Sequence, residues 1–251
     1  MAAVGTLIRI FLKPSQRSPV FITGCSHSAT TLMRTLLGRH SNIYEIKRET
    51  SLFVRSRSSF KRALIMWRWG LKARKAGNQR WVEKTPNHIF HIGKMLSERP
   101  DARVIIMVRD GRDVACSLRK RGVVWGSYSN DFSGGVQKWL DTIQLALEFK
   151  DRAYTVRYED LVENPESVMH DLTTFLGESF EPQMLQGVES PRYGSSTGVE
   201  NAEYRIWQAG QPVYDGRGAW RQEMSSDEKE YFKKVAGDQL IELDYAKDMN
   251  W

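Results

Sequence analysis

The stretch that decides the fold reads "PVFITGCSHSATT" and occupies residues 19–31 of a 251-residue chain. Its apolar run, residues 20–23, predicts a buried strand, and the polar turn behind it leads into a helical pattern. From Gly24 the stretch has the length of the phosphate-binding loop G-x-x-x-x-G-K-[ST]. Ala29 stands at the second glycine, however, and Thr30 stands at the lysine. The sequence therefore predicts an anion site that lacks the lysine typical of triphosphate-binding loops.

Two more apolar runs, residues 104–108 and 154–156, are also followed by a polar turn and a helical pattern. Pro165 and Gly177 bound one predicted helix, and Ser226 is expected to cap another. Strands that alternate with helices predict a three-layer α/β fold of the P-loop type, with a central parallel sheet and helices on both faces. Helical spacing of apolar residues marks the segments 30–40, 87–100, 135–150, 164–177 and 225–245.

Composition narrows the class of partner without naming one. A net charge of +7 and a pI of about 9.4 favour an anion, whether nucleic acid, an acidic membrane surface or a phosphorylated small molecule. The two cysteines, Cys25 and Cys116, make no disulfide framework, so we expect a reducing, cytoplasmic compartment. The apolar run near the N-terminus is short and is interrupted by Arg9 and Lys13, which predicts neither a signal peptide nor a membrane span.

We expect one domain over residues 1–251, with residues 1–18 as an N-terminal extension and residues 50–80 as a basic helical insertion. The insertion carries nine Arg and Lys residues. Three interpretations are open: a packed helix with a solvated basic face, a cover over an anionic substrate at the acceptor site, or a membrane-surface or nucleic-acid contact. The apolar residues of the predicted helix form a stripe at Phe60, Leu64, Trp67 and Leu71.

A second anion-binding element follows the predicted strand at 104–108. Arg109 leaves the carboxyl end of that strand, which is the edge where ligands bind in open α/β sheets. Ser117 lies two helical turns further on, so both side chains suit one phosphate. The alternative is an ion pair of Arg109 with Asp110 or Asp113. Two anion-binding elements at one edge indicate a nucleotide that carries phosphates at two ends.

Five segments, in order, resemble sulfotransferases that use 3′-phosphoadenosine 5′-phosphosulfate (PAPS), in particular bacterial members and relatives of tyrosylprotein sulfotransferases. "GCSHSATTLMRTLLGRHSNI" resembles the 5′-phosphosulfate loop, and "VIIMVRDGRDVACSL" resembles the 3′-phosphate strand and helix. "WVEKTPNH", "VRYEDLVENPESVMHDLTTFLG" and "GRGAWRQEMS" match the later motifs. The resemblance implies transfer of a sulfuryl group from PAPS to a hydroxyl or amine, with release of 3′,5′-ADP.

The resemblance also implies which residues bind PAPS. Arg109 and Ser117 are expected to hold the 3′-phosphate, with Tyr158 near the nucleotide and Arg217 in a basic loop that closes over it. A singly charged sulfuryl group needs no lysine and Mg²⁺ clamp, which explains the altered loop. Amides and hydroxyls are expected to cradle the 5′-phosphate at Ser26, His27, Ser28, Ala29, Thr30 and Thr31.

The same resemblance implies the catalytic residues. Glu49 in "RETSLF" corresponds to the general base, with Glu45 as the alternative. Lys84 in "EKTP" corresponds to a lysine that faces the sulfuryl group, and its alternative is a salt bridge with Glu83 or a neighbour. His27 replaces the usual arginine or lysine, either as a cation that stabilises the leaving phosphate or as a neutral hydrogen-bond donor.

Two departures and one open question complete the predictions. Ala29 replaces a glycine, so its backbone is expected to avoid positive φ. No metal is expected, because His88 and His91 lack the carboxylate of a zinc site. The acceptor is not written in the sequence: a small molecule or carbohydrate is expected and no nucleic acid, while lipid and peptide tyrosine stay open. The sequence leaves two roles open for four aromatic residues, stacking on the acceptor or packing in the core: Trp67, Trp69, Trp125 and Tyr128.

Two other functions are weighed against sulfuryl transfer. The first is a P-loop nucleotide kinase, which the missing lysine disfavours. The second is a non-catalytic nucleotide-binding protein, which the changes at Ala29 and His27 allow.

Overall fold

A parallel five-stranded sheet forms the centre of the computed structural model, which describes residues 17–121, 128–186 and 217–251. The strand order is β2-β3-β1-β4-β5, so β1 lies in the middle, and Ile22 of β1 faces Lys84 on one side and Ile105 on the other. The strands predicted at the three apolar runs are confirmed as β1, β4 and β5. The strands are β1 Val20–Gly24, β2 Ile43–Glu45, β3 Arg80–Lys84, β4 Arg103–Val108 and β5 Tyr154–Arg157.

Nine α-helices surround the sheet in the described ranges. The segment 87–100 divides into a 3₁₀ turn at Pro86–His91 and a helix, while the other predicted helices are confirmed. Ser225, not Ser226, caps the last helix, because its side chain accepts from the Glu228 N–H. The helices are α1 Thr30–Leu37, α2 Ser59–Lys75, α3 Ile92–Glu98, α4 Gly111–Arg121, α5 Phe132–Glu148, α6 Tyr158–Glu163, α7 Pro165–Leu176, α8 Trp220–Glu223 and α9 Ser226–Glu242.

The core has two parts because successive residues of a strand point to opposite faces of the sheet. On β1, Phe21 joins one apolar cluster, while Val20 and Ile22 join the other. Helices α1 and α7 contribute to the second cluster, and α2 to α5 and α9 contribute to the first. The three-layer architecture of the P-loop type is thereby confirmed. No helix in the described ranges is long and apolar enough to cross a membrane.

Helix α2 forms in the predicted basic segment, but the predicted apolar stripe is not the face that packs. The buried face is Arg62, Met66, Trp69, Gly70 and Ala73. Trp69 lies edge-on against Trp81 in the core, with ring centroids 5.1 Å apart, which supports the packing alternative for Trp69. Trp125 lies outside the described residues.

Candidate active site

The phosphate loop runs from the end of β1 into α1 through several left-handed residues. Gly24 has φ +131°, and a side chain there would place Cβ 2.2 Å from the carbonyl oxygen of Met107, so only glycine fits. His27 and Ala29 have φ values of 71° and 61°. The expectation that Ala29 avoids positive φ is therefore wrong. The tight turn into α1 requires the left-handed conformation even without glycine, at a cost of about 1 kcal/mol.

The start of α1 presents unused hydrogen-bond donors to this loop. Ala29 is its N-cap, and no side chain caps the helix. The amide groups of the first turn and the positive end of the helix dipole thus favour an anion. The buried Ser28 hydroxyl has no hydrogen-bond partner among the described residues, while Thr30 is buried and Thr31 half-buried beside it. These donors fit the phosphate that the sequence predicts for this loop.

Arg109 connects the loop to the neighbouring strand. Its Nη1 donates to the backbone oxygen of His27 at 3.2 Å, and its guanidinium lies 4.6 Å from the ring centre of Tyr158. Ser117 Oγ is 2.9 Å from His27 Nδ1. Four predicted nucleotide-binding residues are therefore together at the carboxyl ends of β1 and β4. Asp113 lies 3.7 Å from Arg109, so the predicted ion pair exists within the same group.

Asp113 also ties a later segment to this group. Its carboxylate accepts from the backbone N–H of Gly218 at 2.9 Å and of Trp220 at 3.0 Å. Burial raises the pKa of this carboxyl, and the charge of Arg109 opposes the shift. Arg217 precedes Gly218, and its side chain bonds Glu163 at 3.0 Å on the surface.

On the other side of the loop, Lys84 and Glu49 form an ion pair. Lys84 ends β3 and is 1% exposed, whereas the Glu49 side chain is 35% exposed. Two predicted catalytic residues are thus in contact at the carboxyl edge of the sheet. The alternative partner, Glu83, instead accepts from the Thr50 hydroxyl at 2.7 Å and the Thr85 hydroxyl at 2.6 Å. These bonds hold the segment after Glu49 against β3.

His88 lies 3.2 Å from the buried carboxylate of Glu83 and accepts from the backbone N–H of Phe53. The His88 side chain is wholly buried and packs in the core. Within the described ranges, no three His, Cys, Asp or Glu side chains are grouped as metal ligands.

Glu45, the alternative base, has a different environment. Its carboxylate pairs with Arg34 of α1 at 2.8 Å, and both side chains are nearly buried. Burial raises the pKa of the Glu45 carboxyl, and the charges of Arg34 and Lys47 oppose the shift. This ion pair joins β2 to α1, whereas Glu49 contacts the lysine at the edge of the sheet.

Sequence reasoning missed Lys138 on α5. Its side chain is wholly buried, and Nζ lies 3.4 Å from the hydroxyl of Ser26 in the phosphate loop. Burial lowers the pKa of this ammonium, and the negative charge of Glu49 opposes the shift. A signal was present, because Lys138 shares one helix face with Gly135 and Thr142, the spacing of a core position.

Trp139, the next residue of α5, supports Arg109. Its indole N–H donates to the backbone oxygen of Arg109 at 2.9 Å. A side chain on Gly111 would lie 2.5 Å from the same indole, so glycine allows α4 to approach α5 closely. The packing of these helices therefore sets where Arg109 leaves β4.

The fold and the geometry of the loop define an α/β protein of the P-loop type. The chain belongs to the sulfotransferase family, whose profile matches residues 55–182. The family suggested by the five sequence motifs is thereby confirmed.

Known relatives and structures agree with this family. The chain is 26% identical to protein-tyrosine sulfotransferase A of Caenorhabditis elegans over 77% of its own length and 58% of that protein. It is 26% identical to the protein-tyrosine sulfotransferase of Drosophila melanogaster over 72% of its length and 42% of that protein. The chain thus spans about half the length of these relatives.

Two solved structures share the fold at low identity. The sulfotransferase domain of the Synechococcus PCC 7002 olefin synthase superposes with a TM-score of 0.58 at 20% identity, covering 85% of this chain and 92% of that chain. Mouse sulfotransferase SULT7A1, solved in complex with PAP, superposes with a TM-score of 0.58 at 12% identity, covering 93% and 89%.

Proposed function

We propose that this protein is a PAPS-dependent sulfotransferase that transfers a sulfuryl group to a hydroxyl or amine and releases 3′,5′-ADP. The observation that carries the proposal is the contact between Glu49 and the buried Lys84, beside a phosphate loop whose own lysine is missing. A base next to a cation at the ligand edge of the sheet suits proton removal followed by transfer of an anionic group.

The loop residues fit the 5′ end of the nucleotide. The uncapped start of α1 and the unpartnered Ser28 hydroxyl are donors for phosphate oxygens, and Thr30 and Thr31 add hydroxyls. Arg109 and Ser117 would hold the 3′-phosphate, and the Tyr158 ring supports the Arg109 guanidinium by a cation–π contact. Arg217 would join them from the loop that Asp113 anchors.

When bound, PAPS supplies the sulfuryl group, whose sulfur–oxygen bond to the 5′-phosphate breaks as the bond to the acceptor forms. Glu49 takes the proton from the acceptor hydroxyl or amine. Lys84 holds Glu49 in place and presents its ammonium to the negatively charged oxygens.

Lys138 supplies the cation that the loop lacks at position 27. The family pattern has arginine or lysine where this chain has His27, and His27 itself contacts Ser117 on the Arg109 side. The Lys138 ammonium reaches the loop from α5 at Ser26, with Glu49 close enough to affect its pKa. We assign Lys138 to charge stabilisation at the 5′-phosphate and sulfuryl end, and His27 to the connection between loop and Arg109.

The acceptor class is the first part of the proposed function that activity assays should test. Protein-tyrosine sulfotransferases among the relatives make peptide tyrosine the first candidate, ahead of phenols, carbohydrates and lipids. The segment 50–80 follows Glu49 directly, and its role as a cover over the acceptor stays a prediction. The cytoplasmic location and the single-domain organisation also stay predictions; the reduced, buried Cys25 and Cys116 support the former.

Ligand-dependent thermal unfolding tests the proposal against its rivals. 3′,5′-ADP should raise Tm far more than ATP with Mg²⁺, because the loop lacks the triphosphate lysine and Arg109 offers a second anion site. Stronger stabilisation by ATP would favour a kinase. Labelled PAPS, incubated with each acceptor class and alone, then separates an enzyme from a binding protein, since a binding protein neither transfers nor hydrolyses the label.

A further inference from the structure

Helix α2 has a buried stripe and an apolar outer stripe on nearly opposite faces. Arg62, Met66, Trp69 and Ala73 form the buried stripe, and Phe60, Leu64, Trp67 and Leu71 form the outer stripe. Both repeat at spacings of four, three and four residues, and they are offset by two positions. At about 100° per residue, that offset places them about 200° apart around the helix.

The outer stripe has no place in the core. Phe60 is 71% exposed, and none of the four outer residues belongs to either apolar cluster of the described residues. The neighbouring Ile65, by contrast, packs against the first cluster. The buried face is held by the ion pair of Arg62 with Glu98 and by the edge-on contact of Trp69 with Trp81. The packing of α2 therefore leaves Phe60 exposed and the other three outer residues, Leu64, Trp67 and Leu71, half-buried at the surface.

Cations flank the outer stripe. Helix α2 contains six Arg and Lys residues and no Asp or Glu, and only Arg62 of the six is buried. Helical geometry puts four cations along one flank of the stripe and Arg74 along the other. The four on the first flank, all exposed, are Lys61, Arg68, Lys72 and Lys75.

We propose that α2 is an interfacial helix that docks the protein on an anionic membrane surface. A helix that lies in the headgroup region inserts aromatic and aliphatic side chains and keeps Lys and Arg at the headgroups. The outer stripe supplies Phe60, Leu64, Trp67 and Leu71 for insertion, and the flanking cations face anionic lipids. The helix is about 25 Å long at 1.5 Å per residue, so it would lie in the plane of the surface.

The apolar centre of this face decides between a membrane and other anionic partners. Nucleic acid is bound through phosphate contacts from basic side chains, and an acidic peptide likewise needs cations. Neither duplex nucleic acid nor an acidic peptide explains an apolar stripe that continues from Phe60 to the aliphatic Leu64, and the bases of a single strand stack on aromatic rings and not on leucine. A lipid surface accepts both the charges and the apolar side chains. The inference does not depend on sulfuryl transfer, because docking requires neither PAPS nor an acceptor.

Vesicle binding of the full chain tests the proposal. The protein should sediment with phosphatidylcholine vesicles that contain phosphatidylserine and should bind pure phosphatidylcholine vesicles far more weakly. The triple change Lys61→Glu, Arg68→Glu and Lys72→Glu should lower the partition coefficient by more than about 100-fold, since each cation near an anionic surface contributes on the order of 1 kcal/mol and each glutamate adds repulsion. Phe60→Ser should lower it by about tenfold through the lost apolar insertion.

Matched controls change the same chemistry elsewhere. The triple change Lys150→Glu, Lys234→Glu and Lys247→Glu removes equal charge from other exposed sites. Leu147→Ser removes an apolar side chain that is 42% exposed on α5. Both controls should bind vesicles within a few-fold of the unchanged protein after correction for net charge. Equal losses in controls and α2 variants would overturn the proposal, as would a protein that does not bind anionic vesicles.

Depth of insertion gives an independent readout. Brominated lipids quench tryptophan that reaches the acyl region, so the quenching should largely disappear in Trp67→Phe and persist in Trp69→Phe. The opposite pattern would place the buried face against lipid and contradict the proposal. Competition supplies the last test: if heparin or a polyglutamate peptide binds this face while anionic vesicles do not displace it, the face recognises a polyanion and not a membrane.

Discussion

The two sides of the phosphate loop are built from different chemistry. On the β3 side, Glu49, Lys84 and Lys138 bring a carboxylate to two buried ammonium groups. On the β4 side, Arg109 is surrounded by a carbonyl oxygen, a tyrosine ring and Asp113. The first arrangement suits proton transfer and charge that changes during a reaction. The second suits a bound anion whose charge stays constant during the reaction.

The supports of the two sides differ accordingly. Glu49 lies on a half-exposed segment. A hydrogen bond from the neighbouring Thr50 hydroxyl to the buried Glu83 carboxylate holds this segment in place. Arg109 is supported at its backbone by Trp139 and at its guanidinium by Tyr158. We therefore expect changes on the β3 side to affect turnover and changes on the β4 side to affect nucleotide affinity. The following predictions test that division.

Glu49→Gln should have the largest effect. Glutamine keeps the size of the side chain but cannot take a proton, so turnover of labelled PAPS should fall by about 10²- to 10⁴-fold. Affinity for 3′,5′-ADP, measured by calorimetry, should hardly change. Glu45→Gln is the control: it weakens the ion pair with Arg34 and should lower Tm while the folded protein keeps its turnover. The division fails if Glu45→Gln abolishes transfer and Glu49→Gln does not.

Lys138→Met should have the second-largest effect on turnover. The change removes a cation from the loop, and loss of one such stabilising group lowers turnover by about 10²-fold. Stability should not fall, because methionine fills similar space without a buried charge. Turnover and urea unfolding together check this expectation, with the exposed Lys94→Met as a neutral control. A variant that loses stability and keeps its turnover would make Lys138 a structural residue.

Arg109→Ala should weaken 3′,5′-ADP binding by about 1.5–3 kcal/mol, the usual contribution of a charged hydrogen bond. The loss should nearly vanish for 5′-AMP, which has no 3′-phosphate, so titration calorimetry with both ligands gives the measurement. Arg112→Ala removes an arginine of α4 that pairs with Asp110, the residue just before that helix. It should leave the ratio of the two affinities unchanged, whereas equal weakening of both ligands by Arg109→Ala would contradict the assignment.

Ala29→Gly should have the smallest effect. Glycine relieves the left-handed strain at φ 61°, so the free energy of unfolding should rise by about 0.5–1 kcal/mol. Ala76→Gly is the matched control, since Ala76 follows α2 at φ −85° and glycine there only adds unfolded-state entropy. Urea unfolding should therefore show opposite signs for the two changes; the same sign would mean that the loop is not strained at Ala29.

The fold could be predicted where strands are apolar. The residues of β1 and β4 form runs that indicate burial by themselves, and β5 needed only its flanks. Strand β3 was missed because Arg80, Glu83 and Lys84 are charged and yet buried. Their partners are distant in sequence: Arg80 pairs with Glu178 at 3.1 Å, and Lys84 pairs with Glu49. Local patterning does not reveal such pairs, and β2 is only three residues long.

The candidate site was predicted unevenly for the same reason. Short motifs in the sequence indicate Glu49, Lys84 and Arg109, because each stands at a fixed place beside a strand or helix. Lys138 carries no motif, and its role depends on how α5 packs over the loop. Helix α2 shows a different difficulty. Its sequence contains two stripes with the same spacing, and the more apolar one is not the one that packs in the core, so only tertiary packing selects the buried face.

Cys25 and Cys116 give the protein two internal reporters of local opening. Burial raises the pKa of the Cys25 thiol to about 11 and that of Cys116 to about 12, so neither thiolate forms readily at neutral pH in the closed state. The rate of Cys25 alkylation therefore measures how often the loop and α5 separate. The rate of Cys116 alkylation measures how often α4 opens to solvent. A bound nucleotide that bridges the two sides should slow both reactions together, whereas a ligand that holds only one side should protect one thiol.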